Sequence, residues 1–122
     1  MVIGLILSAL WVQPSMAGEA DIVAVKVFKL KKVSDTTFRF RVTVAHADEG
    51  WEHYADGWQV VGPDGAVLGE RVLLHPHVTE QPFTRSTDLE IPESIGEVTI
   101  RAHDKVHGLG GATMKVAIPH GS

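Results

Sequence analysis

The stretch Thr37-Phe38-Arg39-Phe40-Arg41-Val42-Thr43-Val44-Ala45 decides the fold class. Phe38, Phe40, Val42 and Val44 alternate with Thr37, Arg39, Arg41 and Thr43. A period of two sends one row of side chains to a core and the other to water, so this is a half-buried β-strand. Working outward, the chain before it predicts a strand over Ile22–Leu30. The chain after it predicts strands over Gly57–Val61, Ala66–Leu74, Phe83–Ile91, Glu97–His103 and Thr113–Ile118. Pro63-Asp64-Gly65 is the hairpin turn between the third and fourth strands. No segment sustains a 3.6-residue period. Lys29, Lys31 and Lys32 fall at the first turn, where a charged edge also discourages pairing with another chain.

Seven short antiparallel strands at regular spacing predict an all-β fold, an immunoglobulin-like or fibronectin-like antiparallel β-sandwich. Trp58, early in the third strand, suits the position at which such sandwiches bury a tryptophan. The 122 residues make one domain, expected over 21–119. A formal net charge of −4 carries no surplus of Lys and Arg to neutralise phosphates, which argues against a nucleic-acid partner. The absence of Cys removes disulfides, zinc ribbons, Fe–S clusters and thiol nucleophiles together.

Residues Val2 to Val12 are almost continuously apolar, and Ser15-Met16-Ala17 then offers small side chains where a signal peptidase reads them. The run is about half the length a bilayer-spanning helix requires. A signal peptide over 1–17 is expected, with Ala20 as a second cleavage position and no membrane span after cleavage. That address implies a periplasmic or secreted protein. Only Met1 precedes the apolar run, so the usual basic n-region is missing.

Seven histidines stand out against this background. With strands running up and down, alternate loops share one end of a sandwich. His46 and His53 bracket the second loop, His75 and His77 open the fourth, and His103 and His107 flank the sixth. Six histidines thus fall at one end, and His120 at the other. Neutral imidazoles converging from loops on a rigid scaffold bind a divalent transition metal. Pro76 holds His75 and His77 on extended backbone, and Gly108, Gly110 and Gly111 let the last loop approach closely. Asp48, Glu49, Glu52, Asp56, Glu80 and Asp104 are available as ligands or as acceptors for the far ring nitrogens. A loop histidine can equally be a plain polar surface residue. Trp51, Tyr54 and Trp58 read as core and loop packing.

Two segments resemble the iron domain of the superoxide reductases, the desulfoferrodoxin and neelaredoxin family, itself an immunoglobulin-like sandwich. His46-Ala-Asp-Glu-Gly-Trp-Glu-His53-Tyr54-Ala-Asp-Gly-Trp58 is similar to that family's His…Glu-His-Tyr-x-x-Trp, in which both histidines bind iron. Arg101-Ala-His103-Asp104-Lys-Val-His107-Gly108-Leu109 is similar to its Cys-x-x-His-Gly-Leu-Trp. The resemblance implies that His46, His53 and His107 are equatorial ligands and that Asp104 stands where the family has its axial Cys. The His46–His53 gap is one residue longer than the family's, Gly110 replaces the Trp, and the N-terminal Glu-Lys-His segment has no counterpart. Without the thiolate, sulfur donation to iron is lost and the reductase reaction should be impaired or absent. Imidazole and carboxylate ligation also loses selectivity for iron and by the Irving–Williams order favours copper, with zinc next.

Three functions follow for this chain. The first is an exported metal-binding module holding one iron or copper ion at a His-rich mononuclear site, its metal ligands drawn from His46, His53, His107, His75, His77, His103 and Asp104. The second is a redox enzyme acting on superoxide at that ion. The third is a sandwich that binds another periplasmic protein, with the histidines incidental.

Overall fold

The computed structural model describes residues Glu19–Gly121. The expected signal segment and Ser122 lie outside the described residues, apart from the second cleavage position, Ala20, which is buried in the core. Seven strands are present: β1 (Asp21–Lys29), β2 (Thr37–Ala45), β3 (Ala55–Val61), β4 (Val67–Val72), β5 (Phe83–Glu90), β6 (Glu97–Asp104) and β7 (Met114–Ala117). They form two antiparallel sheets, one ordered β1-β2-β5 and the other β4-β3-β6-β7. This is the expected all-β sandwich, and most strand ends differ from expectation by only a residue or two. The fourth strand is shorter than Ala66–Leu74, because the chain leaves the sheet after Val72 to build the loop carrying His75 and His77.

Alternation governs which residues meet between the sheets. In β2, Phe38, Phe40, Val42 and Val44 are buried, and Arg39 pairs outside with Asp88 of β5 at 2.8 Å. In β6, Val98, Ile100 and Ala102 face the same core, joined by Trp58 and Val60 from β3 and by Phe83 and Ile91 from the other sheet's side. Trp58 is fully buried, as expected of its position. Gly69 in β4 leaves room for Leu89, which a Cβ there would meet at 2.4 Å.

One irregularity matters for the site. Between β3 and β6, Ala55 faces Asp104 and Gly57 faces His103, so Asp56 is an extra residue in β3. Such a bulge re-aims side chains locally. Here Asp56 turns outward while Ala55 and Asp104 stay buried.

Candidate metal centre

The inward rows of the two sheets run on past the apolar core at one end of the sandwich. His46 is the next inward position after Val44, one residue beyond β2, and Asp104 is the last inward position of β6 after Ala102. Both are buried, Asp104 completely. The loops between β2 and β3, β4 and β5, and β6 and β7 close over them. His53 arrives on the first of these, whose turn uses Gly50 at φ 100° and a bond from the Glu49 amide to the His53 carbonyl at 2.8 Å. His107 arrives on the last. There the Asp104 and Gly108 backbones bond reciprocally at 2.9 and 3.0 Å, and Gly108 takes a φ of +70° that a side chain would strain. Gln81 ties the middle loop down, accepting from the His46 amide at 2.9 Å and donating to the His77 carbonyl at 2.8 Å.

Asp104 is the hub. Its Oδ1 accepts the amides of Val106 at 2.6 Å and His107 at 2.7 Å, which turns the loop back on itself. Its Oδ2 faces His46 Nε2 and lies 2.8 Å from His53 Nε2. Burial acts to raise the Asp104 carboxyl, but the two amides and the His46 ring outweigh it and hold the group below the ordinary aspartate value. His107 stands alongside, its Nδ1 3.4 Å from Asp104 Oδ1 and its ring centroid 5.1 Å from that of His53.

The far nitrogen of each central ring meets a second carboxylate. His46 Nδ1 bonds Asp48 Oδ1, and His53 Nδ1 bonds Glu49 Oε1 at 2.7 Å. Asp48 is itself fixed, accepting the Ala55 amide at 3.1 Å and the His77 amide at 2.6 Å. A neutral imidazole carries one N–H, and a carboxylate only accepts. With two carboxylates against one neutral ring, one of the two contacts has no hydrogen of the ring to bridge it, and a metal ion between Nε2 and Oδ2 would fill that place. His46, His53 and Asp104 bring ligand atoms to within 4.8 Å of one another, compact enough for one ion.

The structure thus gathers His46, His53, Asp104 and His107 and separates the other sequence-derived candidates from them. His103 faces outward from β6, where its Nδ1 bonds Asp56 Oδ1 at 2.5 Å. His77 is buried beside Asp48 but stacks flat on Phe83 with ring centroids 3.9 Å apart. His75 is exposed next to it, 4.7 Å between centroids. His120 sits at the opposite end, edge-on to Phe38, with Nε2 2.9 Å from the Ile95 carbonyl. Asp48 and Glu49 appeared in the sequence only as members of a carboxylate pool. The signal that would have singled them out is spacing, two residues from His46 and four from His53. Trp51 packs edge-on against Tyr54 in the loop, and Trp58 belongs to the core.

No family model matches the chain. It is 43% identical over 104 residues to a protein of Halomicrobium mukohataei described as a "Putative lipoprotein". The match takes in 85% of this chain and 50% of the relative, so the chain spans about half of that relative's length. Among solved structures it is similar to a hypothetical protein of Pyrococcus horikoshii, with a TM-score of 0.53 at 12% identity over 84% of this chain and 93% of that one. At that identity the likeness is one of fold alone: the described chain is an antiparallel β-sandwich with a buried His/Asp cluster of metal-ligating type at one end.

Proposed function

We propose that this chain is an exported metal-binding protein whose mononuclear site is made by His46, His53 and Asp104, with His107 at its open side. One observation carries the reading: each central imidazole offers Nε2 to the same Asp104 oxygen while its Nδ1 is held by a separate carboxylate. That is the arrangement by which proteins fix tautomer and orientation of metal-ligating histidines. The donor set of imidazole and carboxylate suits copper(II) and zinc by the Irving–Williams order. The superoxide reductase resemblance favours iron. A bound ion would supply Lewis acidity and, if iron or copper, one-electron chemistry. His46, His53 and Asp104 would hold it, Asp48 and Glu49 would orient the rings, and the buried walls of His46 and Asp104 would limit water on the inner side. The apolar segment Val2–Val12 and the lipoprotein description of the relative support export.

Metal content of protein purified from its native compartment, beside a His53→Ala/His107→Ala double variant, tests this. Near-stoichiometric metal in the parent and loss in the variant is expected. Equal, sub-stoichiometric metal in both would overturn it.

A second reading is redox chemistry with superoxide. It is favoured by Asp104 lying against His46 and His53, as the resemblance requires of the residue in the place of the axial Cys. Superoxide-dependent oxidation of the reduced metal-loaded protein, absent in the double variant, is its measurement.

A further inference from the structure

His75 and His77 were expected to join the metal, and their surroundings fit a different ligand. Where β4 leaves its sheet and β5 begins, a pocket of about 240 Å³ is lined by Arg71, Arg85, His75 and His77 together with Leu73 and Leu74. We propose that this pocket binds a phosphoryl group, either as free phosphate or carried on a small molecule.

The charge balance is the first support. On a chain of net charge −4 this pocket joins two guanidiniums to two imidazoles. Arg71 has no carboxylate within ion-pair distance among the described residues. Its Nη1 donates to the Ser86 carbonyl at 2.7 Å, which steadies the guanidinium and leaves its remaining donors for another acceptor. Arg85 is shared with Glu80 at 3.2 and 3.4 Å, and its Nη1 also donates to the Thr84 carbonyl at 2.7 Å. Arginine forks match the oxygens of a phosphoryl group, and a dianion suits two of them better than a carboxylate does.

The second support is independent of charge. The His77 side chain is 3% exposed, and neither ring nitrogen has a hydrogen-bond partner among the described residues. Its closest carboxylate oxygen, Asp48 Oδ2, is 3.8 Å from Nδ1, beyond hydrogen-bond reach. Buried polar groups in folded proteins nearly always have a partner, and this unpartnered ring belongs to a residue that lines the pocket. A metal ion fits worse. The His75 and His77 rings are tilted 37° with their centroids 4.7 Å apart, and the neighbouring guanidiniums would repel a cation. A water takes about 30 Å³ of liquid, so the pocket has room for a tetrahedral oxyanion and part of its hydration. Leu73 and Leu74 offer an apolar wall to the organic part of an ester.

The test is calorimetric titration of the whole chain, in buffer free of phosphate, with inorganic phosphate, phenyl phosphate and acetate. Saturable binding of a phosphate at one site is expected, with acetate far weaker. Arg71→Met and Arg85→Met should each weaken it at least about tenfold, the loss of one charge-assisted contact. Arg39→Met, on the outer face and paired with Asp88, should bind as the parent does. Tighter phenyl phosphate assigns a carried phosphoryl group, and tighter inorganic phosphate the free anion. No saturation, acetate binding as tight as phosphate, or parent-like binding by both pocket variants would overturn the proposal. The His53→Ala/His107→Ala variant should still bind phosphate. Loss there would place the anion on the metal and overturn the pocket, whereas retention with no metal bound would separate the two sites.

Discussion

His46, one residue past β2, turns its Nε2 onto Oδ2 of Asp104, the last residue of β6 in the opposite sheet, and both side chains are buried. The contact joins the two sheets through a polar pair at the place where another layer of apolar side chains would otherwise sit. Buried charge of this kind is costly unless each group is fully partnered. Asp104 meets that requirement with two amides and two imidazoles. Evolution of a stable sandwich alone would favour aliphatic residues at both positions.

Metal should stabilise the fold, because the unfolded chain cannot hold the β2–β3 loop against the end of β6 and the loop that follows it. At a hundredfold excess of ion over the dissociation constant the gain is about 2.7 kcal/mol. Thermal melts with and without chelator at pH 7.5 measure it. The gain should vanish below about pH 5, where imidazoles are protonated and cannot coordinate. A melting temperature indifferent to chelator counts against the site.

Asp48→Asn should weaken metal affinity by about 10–100-fold without removing a ligand, since Asp48 orients His46 through Nδ1. The apo protein should also lose about 1–3 kcal/mol in denaturant melts. Asp48 accepts the Ala55 and His77 amides as well, and an amide side chain cannot satisfy all three donors. Affinity equal to the parent's would show that Asp48 serves the loop alone.

Asp104→Cys tests the family resemblance at its most informative residue. Asp104 Oδ2 faces both central rings, so a thiolate there would be aimed at the same ion. The ferric variant should show a sulfur-to-iron charge-transfer band in the visible and retain iron more firmly. A colourless ferric variant whose thiol titrates fully with an alkylating reagent would place that residue off the metal.

His77 should leave a mark on the pH dependence of stability. Burial holds its imidazole below the ordinary histidine value, helped by Arg85 and His75 and opposed by Asp48 and Glu80. A depressed folded value means that the unfolded chain takes up the proton first. The contribution is therefore intact above the unfolded value of 6.5 and is lost as pH falls through the folded one. In chelator, the parent should lose stability relative to His77→Phe by up to about 1.4 kcal/mol per pH unit across that window. Parallel curves for the two proteins would remove His77 as the cause.

Much of this was legible in the residues themselves. The Phe38-to-Val44 alternation gives the buried face of β2, and carrying the same period one step further gives His46. In β6 the period that buries Val98, Ile100 and Ala102 also buries Asp104 and turns His103 outward. His103 was thus separable from the buried His46–Asp104 cluster by parity alone. Spacing likewise put six histidines at one end and His120 at the other, because loop parity follows from strand count.

Local pattern settles which face a side chain takes, since each peptide reverses the direction of the next Cβ. It does not settle which loops touch or where a ring nitrogen points. Only the packed sandwich brought Asp104 under His46 and His53, laid His77 flat on Phe83 beside Arg85, and spent Asp48 on three donors from three segments. Those contacts join residues up to 58 positions apart in the chain. They are set by sheet register, a one-residue bulge at Asp56 and the closing of loops over a core, none of which a period of two contains.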